Sequence, residues 1–180
     1  MSEKTDNFIK KWKWAAIWQG VRYGVPPSIT LAQSILESGW GESQLSTAAN
    51  NYFGIKADSS WKGPIYNANT HEYYEGNLTY TSADFRAYST PKTSFKDHSR
   101  FLLDNPRYSD LFSLSELNFE GWAIGLKNAG YATSPTYDTK LIQLIKQYDL
   151  SRFDKWAVII KYGGVLFSAA FIYLLILKIF

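Results

Sequence analysis

Apolar residues recur at helical spacing over most of the first 150 residues or so. Residues 8–23 show the pattern of an amphipathic helix, whose apolar side chains fall on one face. Pro26 and Pro27 end this element, and a second helix is expected over residues 29–38, since proline is tolerated in a first helical turn. The buried side of the first helix is expected to consist of Phe8, Trp12, Ala15, Ala16 and Trp18.

Glu37 is the residue of chemical interest on the second helix. Leu31, Ile35 and Leu36 lie on or near one face of this helix, and Gly39 is well placed to end it. Glu37 therefore falls in the last helical turn, where the negative end of the helix disfavours a carboxylate.

A β-hairpin is expected in the middle of the chain. Between Trp61 and Tyr88, β-branched and aromatic residues alternate with polar ones, and residues 75–77 supply a turn. This pattern predicts strands at roughly 70–74 and 78–86. Further helices, separated by glycine and proline breaks, are predicted over residues 93–103, 119–128 and 137–148. Together these elements predict a mainly helical α+β domain over residues 1–154.

The C-terminal segment differs in kind from the rest. Residues 162–177 carry no charge, and an extension back to Trp156 includes only Lys161. At about 1.5 Å per residue the longer segment spans roughly 33 Å, enough for a hydrocarbon core of about 30 Å. We therefore predict a transmembrane anchor over residues 155–180, in contact with lipid through residues 156–180. The alternative is a buried core helix.

Composition and charge narrow the function classes. The net charge is +3 without a dense Lys/Arg patch, which gives nucleic-acid binding little support. The absence of cysteine excludes disulfides and thiolate metal sites, and the two histidines are far apart in sequence. Neither a metal site nor a cofactor is predicted. The aromatic content of 17% suits either a large core or a surface that stacks on sugar rings.

Glu37 has the setting of a general acid. Cleavage of a glycosidic bond needs a carboxylic acid whose pKa is raised, so that it is still protonated near neutral pH. The helix end and an apolar wall supplied by Trp40 would both act in that direction. On local physics alone, however, a solvated surface glutamate is the stronger interpretation.

A series of sequence blocks changes that balance. Taken in order, they resemble the glycoside hydrolase family 73 glucosaminidases of the flagellar and autolysin type, over about residues 10–150. The resemblance implies a lysozyme-like helical lobe, a small β-lobe over the cleft, and endo-β-N-acetylglucosaminidase activity on peptidoglycan glycan strands. The blocks are AQSILESGWG at 32–41, NYFGIK at 51–56, THEY at 70–73, FRAY at 85–88, NPRY at 105–108 and AGYAT at 129–133.

The resemblance also implies roles for three residues. Glu37 matches the general acid, Glu72 the second carboxylate on the hairpin, and Tyr131 a tyrosine at the catalytic centre. Because side chains alternate along a strand, Glu72 and Glu75 are expected on opposite faces of the hairpin, so only one of them can easily face the cleft. Glu75 abuts the turn and is expected to be a turn residue. Two mechanisms remain open: Glu72 activates water and the anomeric configuration is inverted, or the substrate's N-acetyl group attacks, oriented by Tyr131, and the configuration is retained.

Three aromatic residues are candidates for substrate binding. Tyr52 and Phe53 are candidates to line a sugar subsite, although core packing is the stronger interpretation for Phe53. Trp61 is expected either to stack on a sugar or to cap the hairpin. Four other polar residues are expected to be structural or to take no direct part: Arg86, Arg107, His71 and His98.

The predicted anchor makes the chain a single-pass membrane protein acting at the bacterial cell wall. Arg152, Lys155 and Lys161 lie on the N-terminal side of the apolar run and Lys178 on the other, and this small bias would keep the domain in the cytoplasm. One resolution is an anchor in the internal membrane of a phage particle that penetrates the wall; host and virion membranes stay undecided. The competing functions are a lytic transglycosylase and a non-catalytic glycan-binding membrane anchor.

Overall fold

A computed structural model describes residues 3–74 and 77–163, and the side chains of all of these except residues 71–79. The predicted mainly helical α+β architecture is confirmed, although the short helix α3 and the 3₁₀ helix were not predicted. The elements are α1 (Glu3–Tyr23), α2 (Pro27–Ser38), α3 (Gln44–Ala48), β1 (Ile65–Tyr74), β2 (Asn77–Arg86), α4 (Pro91–Asp104), a 3₁₀ helix (Pro106–Ser113), α5 (Phe119–Asn128) and α6 (Tyr137–Gln147).

Helix α2 is the buried axis of the helical lobe. It packs against α1, α5 and α6, and nearly its whole circumference is buried. Pro27 occupies its first turn, where the missing N–H would have no helical partner. Gly39 adopts a left-handed conformation (φ 56°) and donates its N–H to the Ile35 carbonyl, which ends the helix as predicted. Because α2 is held on all sides, the position of Glu37 in its last turn is fixed.

Helix α1 contacts the core through one stripe of side chains. Phe8, Trp12 and Ala16 are buried as predicted, together with Ile9 and Ile17. The prediction that Trp18 is buried was wrong, since 58% of its surface is exposed. Buried positions on α1 recur every three or four residues, and position 18 lies off that stripe.

The hairpin extends further than its sequence pattern suggested. β1 and β2 pair antiparallel along their full length, from Ile65 opposite Arg86 to Tyr74 opposite Asn77. A bridge between Lys56 and Phe85 ties the preceding loop to the hairpin. Glu72 lies opposite Thr79 in this register; its side chain falls outside the described residues, as does Glu75.

The end of the described chain packs on the helical lobe. Residues 152–163 are helical, and Phe153 and Ala157 are buried. Ala157 lies beside Gly20 of α1, where a side chain on the glycine would collide with it. Lys161 forms an ion pair with Glu116 at 2.5 Å. The predicted boundary between residues 154 and 155 falls inside this helix.

The predicted localisation, a single-pass membrane protein held by its C-terminal helix, was wrong. Among residues 3–74 and 77–163, no helix combines the length and the apolar character that crossing a bilayer requires. Residues 164–180, most of the predicted span, lie outside the described residues. In the described part of the span, Ala157 packs on α1 and Lys161 pairs with Glu116, whereas Trp156, Ile159 and Tyr162 are exposed. The hypotheses of a lipid partner and a virion membrane rested on that anchor and are withdrawn with it.

Candidate active site

A cleft of about 550 Å³ runs between the helical lobe and the hairpin. The carboxyl-terminal turn of α2 and the loop after α3 form its floor, and the hairpin forms one wall. Its lining residues include Glu37, Leu45, Phe53, Gly54, Ile55, Lys56, Asp58, Thr70, Phe85, Phe101, Asn105, Arg107, Tyr108, Gly130, Tyr131, Ala132 and Thr133.

Glu37 reaches this cleft with one carboxyl oxygen already bound. The Tyr137 hydroxyl of α6 donates to Glu37 Oε1 at 2.9 Å. Burial raises the pKa of Glu37 to about 7, against the opposing effects of the Tyr137 hydrogen bond and the Lys140 charge. A carboxyl group in this state still carries its proton near neutral pH, as a general acid must.

Tyr137 is itself held from behind by a row of buried polar groups. Gln33, one turn before Glu37 on α2, donates from Nε2 to the Tyr137 hydroxyl at 2.9 Å. Gln33 Oε1 lies 2.9 Å from His98 Nε2 of α4. Gln33 and His98 are fully buried, and burial lowers the pKa of His98 to about 3. Three helices therefore fix the orientation of the Glu37 carboxyl group.

Tyr131 lies beside Glu37 and closes the cleft from the other side. Its hydroxyl donates to the Phe53 carbonyl at 3.1 Å, and its ring stacks on Tyr137 at 5.7 Å. Burial, followed by the charge of Glu37, raises the pKa of Tyr131 well above its ordinary value. Tyr131 is therefore a neutral hydroxyl at the cleft.

The candidate substrate-binding aromatics Tyr52 and Phe53 occupy different surroundings. Phe53 lines the cleft, but its ring is almost wholly buried and stacks on His98 at 4.0 Å. The Tyr52 ring packs against Trp12 and Phe95, and Tyr52 is not part of the cleft lining. Both rings therefore contribute to the core that supports the site.

Trp40 does not form the apolar wall that the sequence suggested. Its ring packs against Phe8 and Tyr148, and the aromatic groups around Glu37 are Tyr131 and Tyr137. Trp40 has a positive φ of 65°, so the backbone turns away from α2 there. The apolar environment of Glu37 comes from residues distant in sequence.

Trp61 lines a second, smaller pocket of about 380 Å³ next to the cleft. Its Nε1 donates to the Pro64 carbonyl at 2.9 Å, which braces the start of the hairpin. The Arg86 guanidinium lies 4.7 Å from its ring and is held by Asp97 at 3.0 Å and Asp58 at 3.4 Å. Asp58 lines both pockets and joins them.

Sequence reasoning missed the residues that orient the acid. Gln33 lies four positions before Glu37, and that helical spacing was an available signal. Tyr137 and His98 lie 100 and 61 positions away along the chain, and no local pattern links them to it. In the part of the chain that the structure describes, no group of three or more acidic or histidine residues is arranged to hold a metal ion.

Comparisons with known proteins agree with this architecture. Residues 13–150 match the glucosaminidase family, described as mannosyl-glycoprotein endo-β-N-acetylglucosaminidase. The chain is 39% identical to the peptidoglycan hydrolase FlgJ of Vibrio parahaemolyticus over 145 residues, which are 79% of this chain and 47% of that protein. It is 37% identical to the exo-glucosaminidase LytG of Bacillus subtilis over 139 residues, 74% of this chain and 48% of that protein.

A solved structure extends the agreement to three dimensions. The crystal structure of a peptidoglycan hydrolase mutant from Sphingomonas sp. A1 has a TM-score of 0.72 and 32% identity, and the match covers 82% of this chain and 96% of that one. The chain spans about half the length of the curated relatives it matches. The expected lysozyme-like arrangement of a helical lobe with a two-stranded sheet is confirmed, and the chain belongs to the glucosaminidase family of glycoside hydrolases.

Proposed function

We propose that the chain hydrolyses bacterial peptidoglycan as an endo-β-N-acetylglucosaminidase, cutting the β-1,4 bond after N-acetylglucosamine in the glycan strand. One observation carries this proposal. Glu37 lies at an open cleft with a pKa of about 7 and with one oxygen held by Tyr137. Family membership and the names of the FlgJ and LytG relatives support the substrate class.

Glu37 acts as the general acid in this proposal. Below about pH 7 its carboxyl group is protonated, and it transfers that proton to the glycosidic oxygen as the bond to the anomeric carbon breaks. The carboxylate left behind keeps the hydrogen bond donated by Tyr137. A donor that strengthens as charge develops lowers the barrier rather than merely binding substrate.

Water completes the reaction by one of two routes. In the first, Glu72 on β1 activates a water molecule and the anomeric configuration is inverted. In the second, the oxygen of the substrate's N-acetyl group attacks, with Tyr131 orienting it, and water then opens the intermediate with overall retention.

Asp58 is a further carboxyl group at the cleft, and the hydrogen bonds that it accepts from Ser60 are the main reason that its pKa is low. Asp58→Asn is therefore the matched control for Glu72→Gln.

Product analysis tests the proposal. Purified peptidoglycan is digested with the full chain, the fragments are sized by mass spectrometry, and the first anomer formed is followed by NMR. We expect reducing N-acetylglucosamine ends and long internal fragments. An initial α-anomer identifies inversion, with Glu72→Gln far more damaging than Asp58→Asn. An initial β-anomer identifies participation of the N-acetyl group.

Other products would contradict the proposal and identify a different activity. Anhydro-muramic ends would identify a lytic transglycosylase, a chemistry that also needs a single acid. Release of single terminal sugars alone would identify exo cleavage, as the name of LytG indicates for that protein. Binding to peptidoglycan by folded protein without any cleavage would identify a glycan-binding module.

A further inference from the structure

His98 is a buried polar residue with no place in the proposed chemistry. It lies beneath Phe53, is not part of the cleft lining, contacts the edge of Tyr131, and is connected to Glu37 by hydrogen bonds through Gln33 and Tyr137. The three hydrogen bonds that link His98, Gln33, Tyr137 and Glu37 are each 2.9 Å long, and they join helices α4, α2 and α6. Burial of three polar side chains costs free energy unless they are hydrogen-bonded to one another. We therefore asked what this row of hydrogen bonds does for the acid.

The direction of donation along this row follows from its last member. The Tyr137 hydroxyl donates to Glu37 Oε1, and once Glu37 has transferred its proton this is the only possible direction, because a carboxylate can only accept. The same hydroxyl oxygen must then accept from the Gln33 amide nitrogen, which turns the Gln33 carbonyl oxygen toward His98. His98 must therefore donate from Nε2, and Nδ1 is the bare nitrogen of a neutral ring. No described residue offers a hydrogen-bond partner to Nδ1, which agrees with this tautomer.

We propose that His98 is a positioning residue for the acid: through Gln33 it fixes the direction in which Tyr137 donates, and so assigns the two oxygens of Glu37 to different tasks. Oε1 is the permanent acceptor, and Oε2 carries the proton that is transferred. The proposal rests on the hydrolase function proposed above. The row does not need to rearrange during turnover, because Oε1 accepts from Tyr137 both before and after Oε2 loses its proton.

The surroundings of Oε2 agree with this assignment. Gly54 faces this oxygen, and a side chain there would begin only 3.7 Å from it. Gly54 has a φ of 63°, which disfavours other residues and keeps this side of the acid open to the cleft. The titratable groups that the structure describes around Glu37 include Tyr131 and Lys140, and Lys56, Asp58, Arg107 and Tyr108 line the same cleft. The Tyr131 hydroxyl donates to the Phe53 carbonyl, and the hydrogen bond to Oε1 comes from Tyr137.

Two substitutions remove the relay at different points. His98→Phe keeps a flat ring on Phe53 but deletes the donor, and the Gln33 amide is then free to turn its oxygen toward Tyr137. Gln33→Met keeps the length of the side chain and deletes both contacts. Ser99→Ala and Ser34→Ala are matched controls, because both serines are buried neighbours whose hydroxyls bond only to backbone carbonyls of their own helices.

The expected signature is kinetic. Loss of one hydrogen bond to a charged group lowers kcat about tenfold to a hundredfold. Because the Tyr137 bond opposes the raised pKa of Glu37, its loss moves the basic limb of the pH profile to higher pH. The double variant should lose no more than the worse single variant, since Gln33→Met leaves His98 nothing to orient. Unchanged profiles per folded enzyme, or fully additive losses, would overturn the proposal.

A measurement on the unmodified protein decides the matter if the variants fail to fold. Nitrogen-15 NMR of the labelled full chain reports which imidazole nitrogen of His98 bears the proton. We expect the Nε2–H tautomer, uncharged at pH 6. An Nδ1–H tautomer would overturn the proposal, because Tyr137 would then donate to Gln33. This readout requires no turnover, so failure of the hydrolase proposal, seen as absence of cleavage by the wild-type chain, is recorded separately.

Discussion

Helix α2 has a buried carboxyl group at each end. At its amino-terminal turn, Asp154 accepts from the backbone N–H of Ser28 at 2.8 Å and from the Ser28 hydroxyl at 2.7 Å. At its carboxyl-terminal turn, Glu37 accepts from Tyr137 through Oε1, and Oε2 faces Gly54 without a hydrogen-bond donor among the side chains that the structure describes. Burial raises the pKa of both groups to about 7. The two carboxyl groups thus have similarly raised pKa values, but they differ in their hydrogen bonds.

A raised pKa therefore does not by itself identify a catalytic acid. Asp154 is 1% exposed and both its oxygens are occupied, so it has no route to a substrate. Glu37 lines an open cleft and keeps one oxygen for transfer. Access to the cleft and an oxygen available for proton transfer separate the acid from the structural carboxyl group.

Glu37→Gln should have the largest effect. An amide cannot deliver a proton to the glycosidic oxygen, so we expect turnover to fall about 10³-fold or more while the fold is retained. Peptidoglycan dye release, with circular dichroism to verify folding, measures both. Asp154→Asn is the matched control and should keep near wild-type turnover per folded molecule. Comparable losses in the two variants would remove the distinction between the ends of α2.

Tyr137→Phe should come next. The substitution deletes the donor to Glu37 Oε1 and leaves the ring stacked on Tyr131. We expect kcat to fall about tenfold to a hundredfold, with the basic limb of the pH profile at higher pH, because the lost bond had been lowering the pKa of Glu37. A basic limb that moves to lower pH would contradict the orientation of this bond.

Asp154→Ala should damage stability rather than turnover. It leaves the N–H and hydroxyl of Ser28 buried without their acceptors, at a cost of about 2–4 kcal/mol in the free energy of unfolding. Urea denaturation measures the loss. Asp154→Asn keeps an acceptor for the N–H and should lose much less. Equal losses for the two substitutions would mean that the contact to Ser28 contributes nothing specific.

The pH dependence of stability should be a property that the two ends of α2 have in common. A carboxyl group whose folded pKa is raised contributes stability that is fully present below its unfolded pKa and lost as pH rises through about 7. Glu37→Gln and Asp154→Asn should each remove one part of this loss, on the order of 3–4 kcal/mol between pH 4 and 8. Urea titrations across that range test it. A variant with the wild-type pH dependence would show that its carboxyl group is not perturbed.

The sequence carried enough local information to predict the frame of this site. Pro27 and Gly39 bound α2, and this placed Glu37 in its last turn before any tertiary contact was known. Alternation between Trp61 and Tyr88 predicted the hairpin, although β1 begins at Ile65, earlier than expected. Helices and strands whose ends are determined by their own residues could thus be predicted from the sequence.

The remainder depends on contacts that no local pattern records. Trp40 follows Glu37 by three residues yet packs on Phe8 and Tyr148, whereas Tyr137, 100 positions away, holds the acid. The apolar run from Trp156 predicted a membrane anchor, but Ala157 in its first turn is buried on α1 beside Gly20. Burial against a distant partner and burial in lipid produce the same sequence signal.

The decisive property of Glu37 is its pKa, which can be measured on the protein itself. Carbon-13 NMR of the protein labelled at its glutamate carboxyl carbons, with the Glu37→Gln spectrum to assign the signal, follows the titration of this group alone. We predict a midpoint near pH 7, the value that burial gives this group against the opposing Tyr137 bond. A midpoint near the ordinary glutamate value of about 4.3 would leave Glu37 ionised at neutral pH and would contradict its assignment as the acid.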